Sequence, residues 1–387
     1  FDRFAGKSLL VHPPRKSERV DNFWIHTCCA HRALLVHRLR PLVGSTSYDI
    51  HSKYHWGPGK MNVHDLPTPS LILDANHVES NLSKMAQALP GAALRPHVKA
   101  HKCTELARRQ AAAGHQNFTC ATIREMEVMA EAGLGHDLLL ANEVLDASRL
   151  GVLDARVTVA IDSQETLDAA VNGGVREVMI DVNVGLPRCG CKPEDAGALA
   201  DAARKAGLSV RGVMGYEGHI VGIPDREERE RRCEESMVLL LDAHRQTGGE
   251  VISAGGTGTY DCNRWATEIQ AGSYALMDTA YRELGHPFVQ ALWLWLRVIS
   301  VSEKFAVADG GLKCLGMDHG NPTLAEGKVW FCSDEHLTFA PERKVRVGDH
   351  LRVTPAHIDP SLAYHERIFV VEGEAVVDEW PIDMRGW

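Results

Sequence analysis

No stretch of this 387-residue chain is apolar for long enough to cross a bilayer. The longest run, Phe288 to Leu296, is interrupted by Gln290 and falls far short of the roughly 18 to 20 residues that a spanning helix needs. An excess of positive charge is also missing: 42 Lys and Arg stand against 51 Asp and Glu, for a formal charge of -9. Recognition of nucleic acid or an anionic membrane relies on clustered cations, so neither is indicated and a small molecule is the expected partner. The ten cysteines are of ordinary density for this length, and none of their spacings repeats as a zinc-binding CxxC pair does. Cys28 and Cys29 are adjacent and Cys189 and Cys191 one residue apart, which suits neither easy disulfide geometry nor a zinc knuckle. A disulfide framework is excluded, and a reduced, intracellular protein is expected. There is no internal repeat of fixed period and no low-complexity tract.

What is present is a globular composition, 44% hydrophobic and 24% charged, with enough chain to bury a sizeable core. The length fits two domains, or one large α/β barrel with a smaller appendage. Residues 1–62 stand apart as an extension. Arg3, Arg15, Arg19, Arg32, Arg38 and Arg40 are accompanied by few acids and no clean periodicity, a composition shared with organelle transit peptides. The alternative is a loosely docked arm. A cytoplasmic location follows, or an organellar one if the extension is a transit segment.

From Leu66 onward, short apolar runs alternate with amphipathic stretches. Candidate strands are Leu94–Val98, Asn117–Ala121, Asp137–Ala141, Arg156–Ile161, Glu177–Val182, Ser209–Met214, Val251–Ala254 and Glu268–Ala271. Helical patterns such as Thr104–Ala113, Arg124–Ala132, Glu194–Ala206 and Arg226–Arg245 lie between them. Parallel strands with intervening helices predict a (β/α)8 barrel over residues 63–289, with its reactive groups where strands end. After Gln290 the text changes to Trp293–Val301, Glu303–Ala308, Lys344–Val347, His350–Thr354 and Ile368–Val371, strands joined by turns such as Gly348-Asp349. Residues 290–387 are expected to form an all-β domain.

Lys99 falls where the first barrel strand should stop. A lysine there, partly desolvated and near other cations, is expected to have a lowered pKa and to form a Schiff base with an aldehyde; a surface lysine is the alternative. After the seventh strand, Gly255, Gly256, Thr257, Gly258 and Thr259 form a loop whose backbone N–H groups and hydroxyls can cradle a phosphate. Pyridoxal 5'-phosphate satisfies both features at once.

The runs TPSLILDANHVESNL, LRPHVKAHK and MGYEGH resemble the D-threonine aldolase and D-serine dehydratase family, which has the alanine-racemase-type fold of pyridoxal phosphate enzymes. The resemblance covers roughly residues 63–387. It implies a (β/α)8 barrel followed by a β domain, a homodimer and a divalent metal near the cofactor. Lys99 becomes the lysine that carries the cofactor, Arg188 in GLPRCG and Tyr216 in MGYEGH become cofactor contacts, and the loop 255–259 holds the phosphate.

His357 and Asp359 are two apart; on an extended segment both would face one side and share an ion. In the family this position carries the metal ligands, His-x-Asp in aldolases and His-x-Cys in dehydratases, so Asp359 favours an aldolase with Mn²⁺ or Mg²⁺. His219, after the sixth strand, is either a pocket histidine or the acceptor of the substrate β-hydroxyl proton. Asp318, His319 and His336 are unranked neighbours of the metal. The expected reaction is cleavage of D-threonine or another D-3-hydroxy-α-amino acid to glycine and an aldehyde. The alternatives are a D-serine or 3-hydroxyaspartate dehydratase and, from another class, a non-catalytic pyridoxal phosphate carrier, which would need neither the β domain nor the metal.

Overall fold

The structure, a computed structural model, describes residues 61–387, so the expectations for the N-terminal extension lie outside the described residues. Seven parallel strands follow one another in a single sheet: β2 (Asn117–Cys120), β3 (Asp137–Leu140), β4 (Val157–Ile161), β5 (Glu177–Asp181), β6 (Ser209–Gly215), β7 (Val251–Ala254) and β8 (Glu268–Ile269). Their residues are almost all buried, as expected for parallel strands covered on both faces.

The segment 94–97 closes the sheet. Arg95 N–H donates to the Ile269 carbonyl at 2.9 Å, His97 N–H to Ala271 at 3.1 Å, and Thr119 N–H to Pro96 at 2.9 Å. The eighth barrel segment is therefore present, but as two parallel bridges rather than a regular strand. Pro96 has no N–H to give the ladder, which accounts for the interruption.

Around the barrel run α2 (Thr104–Ala112), α3 (Ile123–Glu131), α4 (Gln164–Asn172), α5 (Ala196–Lys205) and α6 (Arg226–Thr247), with α1 (Ala75–Ala88) and the short α7 (Thr279–Arg282) at the junction with the β domain. Their starts are written locally. Thr122 with Glu125 makes a reciprocal capping box at α3, and Asp225 accepts the Glu228 N–H at 2.9 Å at α6.

The floor of the barrel is ionic. Asp137 receives both guanidiniums that enter from below: Arg95 at 3.1 and 3.2 Å, and Arg211 at 2.8 and 2.9 Å. Arg95 also reaches Glu268 at 2.7 Å and is 1% exposed. Burial works to raise the Asp137 pKa, but hydrogen bonds from Arg211 and Arg95 outweigh it and bring it to about 2. A folded-state pKa below the roughly 3.9 of free Asp gives stabilisation that is complete above about pH 4 and is lost as pH falls through 2. Asp137→Ala takes from buried Arg211 its close carboxylate and leaves buried Arg95 with Glu268 alone, and it is expected to cost about 3–5 kcal/mol in urea unfolding at pH 7. The variant should also show a shallower loss of stability between pH 4 and 2 than the wild type; parallel pH profiles would contradict the assignment.

The second sheet has nine strands in the order β10-β13-β12-β11-β14-β9-β1-β15-β16. These are β1 (Ser70–Asp74), β9 (Leu292–Val301), β10 (Ala306–Ala308), β11 (Thr323–Leu324), β12 (Gly327–Cys332), β13 (Leu337–Pro341), β14 (His350–Thr354), β15 (Arg367–Glu372) and β16 (Ala375–Pro381). A further β9–β10 pairing closes six of them into a small ring. β1 precedes the barrel in sequence yet lies inside this sheet, antiparallel to β9 and parallel to β15. Both units are thus stitched together by the chain's first described strand.

Lys344–Val347 is not a strand. It leads into a turn in which Asp349 Oδ2 accepts the Arg346 N–H at 2.8 Å and Gly348 takes φ +97. A short helix, α8 (Ile358–Ala363), follows β14 where extended chain was expected. The eight cysteines among the described residues are free, and no helix among those residues is long and apolar enough to cross a membrane.

Candidate active site

After the bridge at His97 the chain makes one 3₁₀ turn, Val98–Ala100, which carries Lys99 at the C-terminal end of the barrel. Its Nζ donates to Asp359 Oδ2 at 2.6 Å, bringing a residue of the β domain directly onto the barrel lysine. The lysine side chain is 45% exposed and the aspartate 13%. The expected lowering of the Lys99 pKa does not hold in this arrangement. The Asp359 charge, against the opposing effect of burial, raises it. Beside it, burial and then the Lys99 charge push the His97 imidazole well below its usual range. Its Nδ1 accepts the Lys99 backbone N–H at 3.5 Å.

The loop 255–259 follows β7 as expected and is shaped by a residue that sequence reasoning passed over. Glu217, fully buried, accepts from Gly255 N–H at 3.1 Å, Thr259 Oγ1 at 2.8 Å and Asn263 Nδ2 at 3.1 Å. Thr259 Oγ1 in turn accepts the Gly256 N–H at 3.2 Å, and Thr257 Oγ1 accepts the Tyr274 N–H at 3.0 Å. Among the described residues the N–H groups of Thr257 and Gly258 donate to nothing, leaving two donors for an anion. Gly258 is required here, since a Cβ would sit 2.0 Å from the Val221 carbonyl oxygen. These open donors, facing the same barrel end as Lys99, fit a phosphorylated aldehyde.

Tyr216, just past β6, lies beside this loop, with Gly256 against its ring. Burial raises its hydroxyl pKa, and the Lys99 charge opposes that shift. Arg188, from the loop after β5, stands over the Tyr216 ring at 5.4 Å. Its loop is pinned to the barrel by the Gly190 N–H, which donates to Asp162 Oδ2 at 3.1 Å. His219 is exposed four residues past the end of β6, with its ring against Gly185 of the β5 loop. The structure groups Lys99, Tyr216, Arg188 and the 255–259 loop; His219 lies at the rim and bonds none of them.

The pair from the β domain converges, though not along an extended segment. His357 is extended (φ -143, ψ 122) and caps α8, while Asp359 sits in the first turn of that helix. His357 Nε2 and Asp359 Oδ1 are 3.9 Å apart, and Oδ1 is buried with no hydrogen-bond partner. A cation between imidazole nitrogen and carboxylate oxygen would satisfy that orphan, so the donor set fits a divalent metal. On the outer side, Asp318, His319 and His357 offer ligand atoms within 4.8 Å of one another. Asp278, buried after β8, ties the barrel to this helix by accepting the Tyr281 N–H at 3.1 Å and the Ile358 N–H at 3.3 Å. No pattern in the sequence singled it out. His336, the remaining histidine considered at this end, belongs to the β12–β13 turn, where its carbonyl accepts the Ser333 N–H at 2.9 Å.

Comparison with known proteins gives the same architecture. The model of the alanine racemase N-terminal domain matches residues 73–279, and that of a putative serine dehydratase domain matches 291–371. A D-threonine aldolase of Arthrobacter sp is 33% identical over 83% of this chain and 93% of its own length. A 3-hydroxy-D-aspartate aldolase of Paracoccus denitrificans is 30% identical over 85% of this chain and 94% of its own. The crystal structure of D-threonine aldolase from Filomicrobium marinum superposes with a TM-score of 0.79 at 31% identity, covering 85% of this chain and 99% of that one.

Proposed function

The chain belongs to the D-threonine aldolase and D-serine dehydratase family of pyridoxal phosphate enzymes, and from that membership we propose how its own residues divide the work. It is a lyase of D-3-hydroxy-α-amino acids, cleaving D-threonine and related substrates to glycine and an aldehyde. The observation that carries the assignment of residues is the contact series from Lys99 through Asp359 to His357. The Lys99 amine lies beside the His357 and Asp359 nitrogen and oxygen donors, which supports reading the first as the cofactor's tether and the second as the metal's ligands.

Pyridoxal phosphate, when bound, would supply an electron sink for charge developing at Cα, and a divalent metal would supply polarisation of the β-oxygen. Lys99 would hold the cofactor's aldehyde carbon and Gly255, Gly256, Thr257, Gly258 and Thr259 its phosphate, with Arg188 and Tyr216 beside its ring. His357 and Asp359 would hold the metal, and with water completing a hard N/O set, Mn²⁺ or Mg²⁺ suits it better than zinc. His219 takes the β-hydroxyl proton from the rim, where an exposed imidazole meets entering substrate. In this reading the barrel, residues 63–289, binds cofactor, the β domain, residues 290–387, brings metal, and the protein acts as an intracellular homodimer.

Purified enzyme given D-threonine should release acetaldehyde and glycine, with L-threonine almost inert. If 2-oxobutanoate and ammonia were the main products, the family's dehydratase chemistry would replace the aldolase.

A further inference from the structure

Resting on the reading of His357 and Asp359 as metal ligands, we propose that Asp318 is a positioning residue for the cation. It holds the His357 ring with its proton on Nδ1, so that Nε2 presents its lone pair toward Asp359. Asp318 Oδ2 lies 2.7 Å from His357 Nδ1. An ionised carboxylate can only accept, so the proton of that bond belongs to Nδ1. The opposite nitrogen, Nε2, is the one that faces the orphaned Asp359 Oδ1 at 3.9 Å. Carboxylates behind a ligating imidazole fix its tautomer and orientation and raise its basicity.

The segment bearing Asp318 is anchored to the helix it serves. Gly316 forms an antiparallel bridge with His357, its N–H donates to Ser361 Oγ at 2.9 Å, and Ser361 Oγ donates to the His357 carbonyl at 2.7 Å. The approach depends on glycine, because a Cβ at position 316 would lie 2.3 Å from Pro360 Cγ. His319, from the same segment, stacks on His357 with centroids 4.1 Å apart and planes within 3°. The ring is thus held against tilting by His319 and against rotation by Asp318.

Asp318, His319 and His357 lie close enough to be ligands themselves. That arrangement turns Nδ1 to the metal and leaves Asp359 Oδ1 buried without a partner, a cost the Nε2 arrangement avoids.

The test is Mn²⁺ affinity of the cofactor-loaded protein, read from the paramagnetic resonance signal of free Mn²⁺. His357→Ala should lose the site. Asp318→Ala should bind Mn²⁺ 10- to 100-fold more weakly, and Asp318→Asn, whose carbonyl still accepts from Nδ1, should stay within about threefold of wild type. Asp318 is 53% exposed, so these variants should fold. Wild-type affinity in Asp318→Ala beside loss in His357→Ala would overturn the role of Asp318 while leaving the ligand assignment standing. Equal weakening in Asp318→Asn and Asp318→Ala would overturn it in favour of plain charge or direct ligation. Wild-type affinity in His357→Ala would remove the metal assignment itself. In metal-free protein, ¹⁵N-histidine spectra should show the His357 proton on Nδ1; a proton on Nε2 contradicts the proposal.

Discussion

Lys99→Ala is expected to abolish the yellow absorbance of cofactor-loaded protein and to lower kcat by about four orders of magnitude or more. A single positioned catalytic group is worth about 10² to 10⁴, and in the proposed reading this one would tether the cofactor as well. Two roles meet at the residue, because the same Nζ neutralises Asp359 at 2.6 Å. Lys99→Arg separates them. A guanidinium keeps the charge beside Asp359 but does not lose a proton near neutrality, so it cannot condense with an aldehyde. The arginine variant should match wild type in urea unfolding and match the alanine variant in lacking the band. Borohydride treatment of wild type should fix the cofactor to the peptide containing Lys99; fixation to a peptide without Lys99, such as one cleaved to carry Lys102 alone, would refute the assignment.

How much of this was legible follows from what kind of information each feature carries. The barrel strands are local: runs such as Val157–Ile161 and Glu177–Asp181 are bounded by turns and followed by helices with their own caps, so position and order could be read. Lys99 could be placed because Pro96 and the strand end are neighbours in sequence. β1 could not be placed. Its SLIL run reads as a buried strand, but nothing in five residues says that the partners are Trp295 and Ile368 rather than the barrel.

The misses at the site have the same origin. The alternating Lys344–Val347 pattern imitates a strand, yet the Asp349 side chain bonding back to Arg346 makes it a turn approach. The α8 start did carry a local signal, since Pro360 is tolerated in a first helical turn and rarely inside a strand; assigning His357 and Asp359 to extended chain overlooked it. Glu217 and Asp278 are single acids in ordinary surroundings. They come to shape the site only because the fold buries them where backbone N–H groups from other segments converge. Lys99's raised pKa is of this kind too: the sequence shows the cations around it, while the decisive anion arrives from 260 positions away.

That distant anion supports the second large effect. Chelation of the wild type should abolish turnover while leaving the cofactor band intact, with Mn²⁺ or Mg²⁺ restoring it. A metal that polarises the β-oxygen supplies several kcal/mol, which corresponds to roughly a thousandfold or more in rate. Asp359→Ala should be at least as inactive and should resist rescue by added metal. The two treatments differ in a useful way. Chelation leaves the Lys99–Asp359 contact in place, whereas the substitution removes it together with the ligand. If the metal is the only contribution, chelated wild type and Asp359→Ala fall to the same rate. If Asp359 also positions Lys99, the variant is slower still and its cofactor band shifts, because the nitrogen has lost its neighbouring anion. Full turnover by Asp359→Ala after exhaustive chelation would show that neither the ion nor this carboxylate takes part in breaking the Cα–Cβ bond.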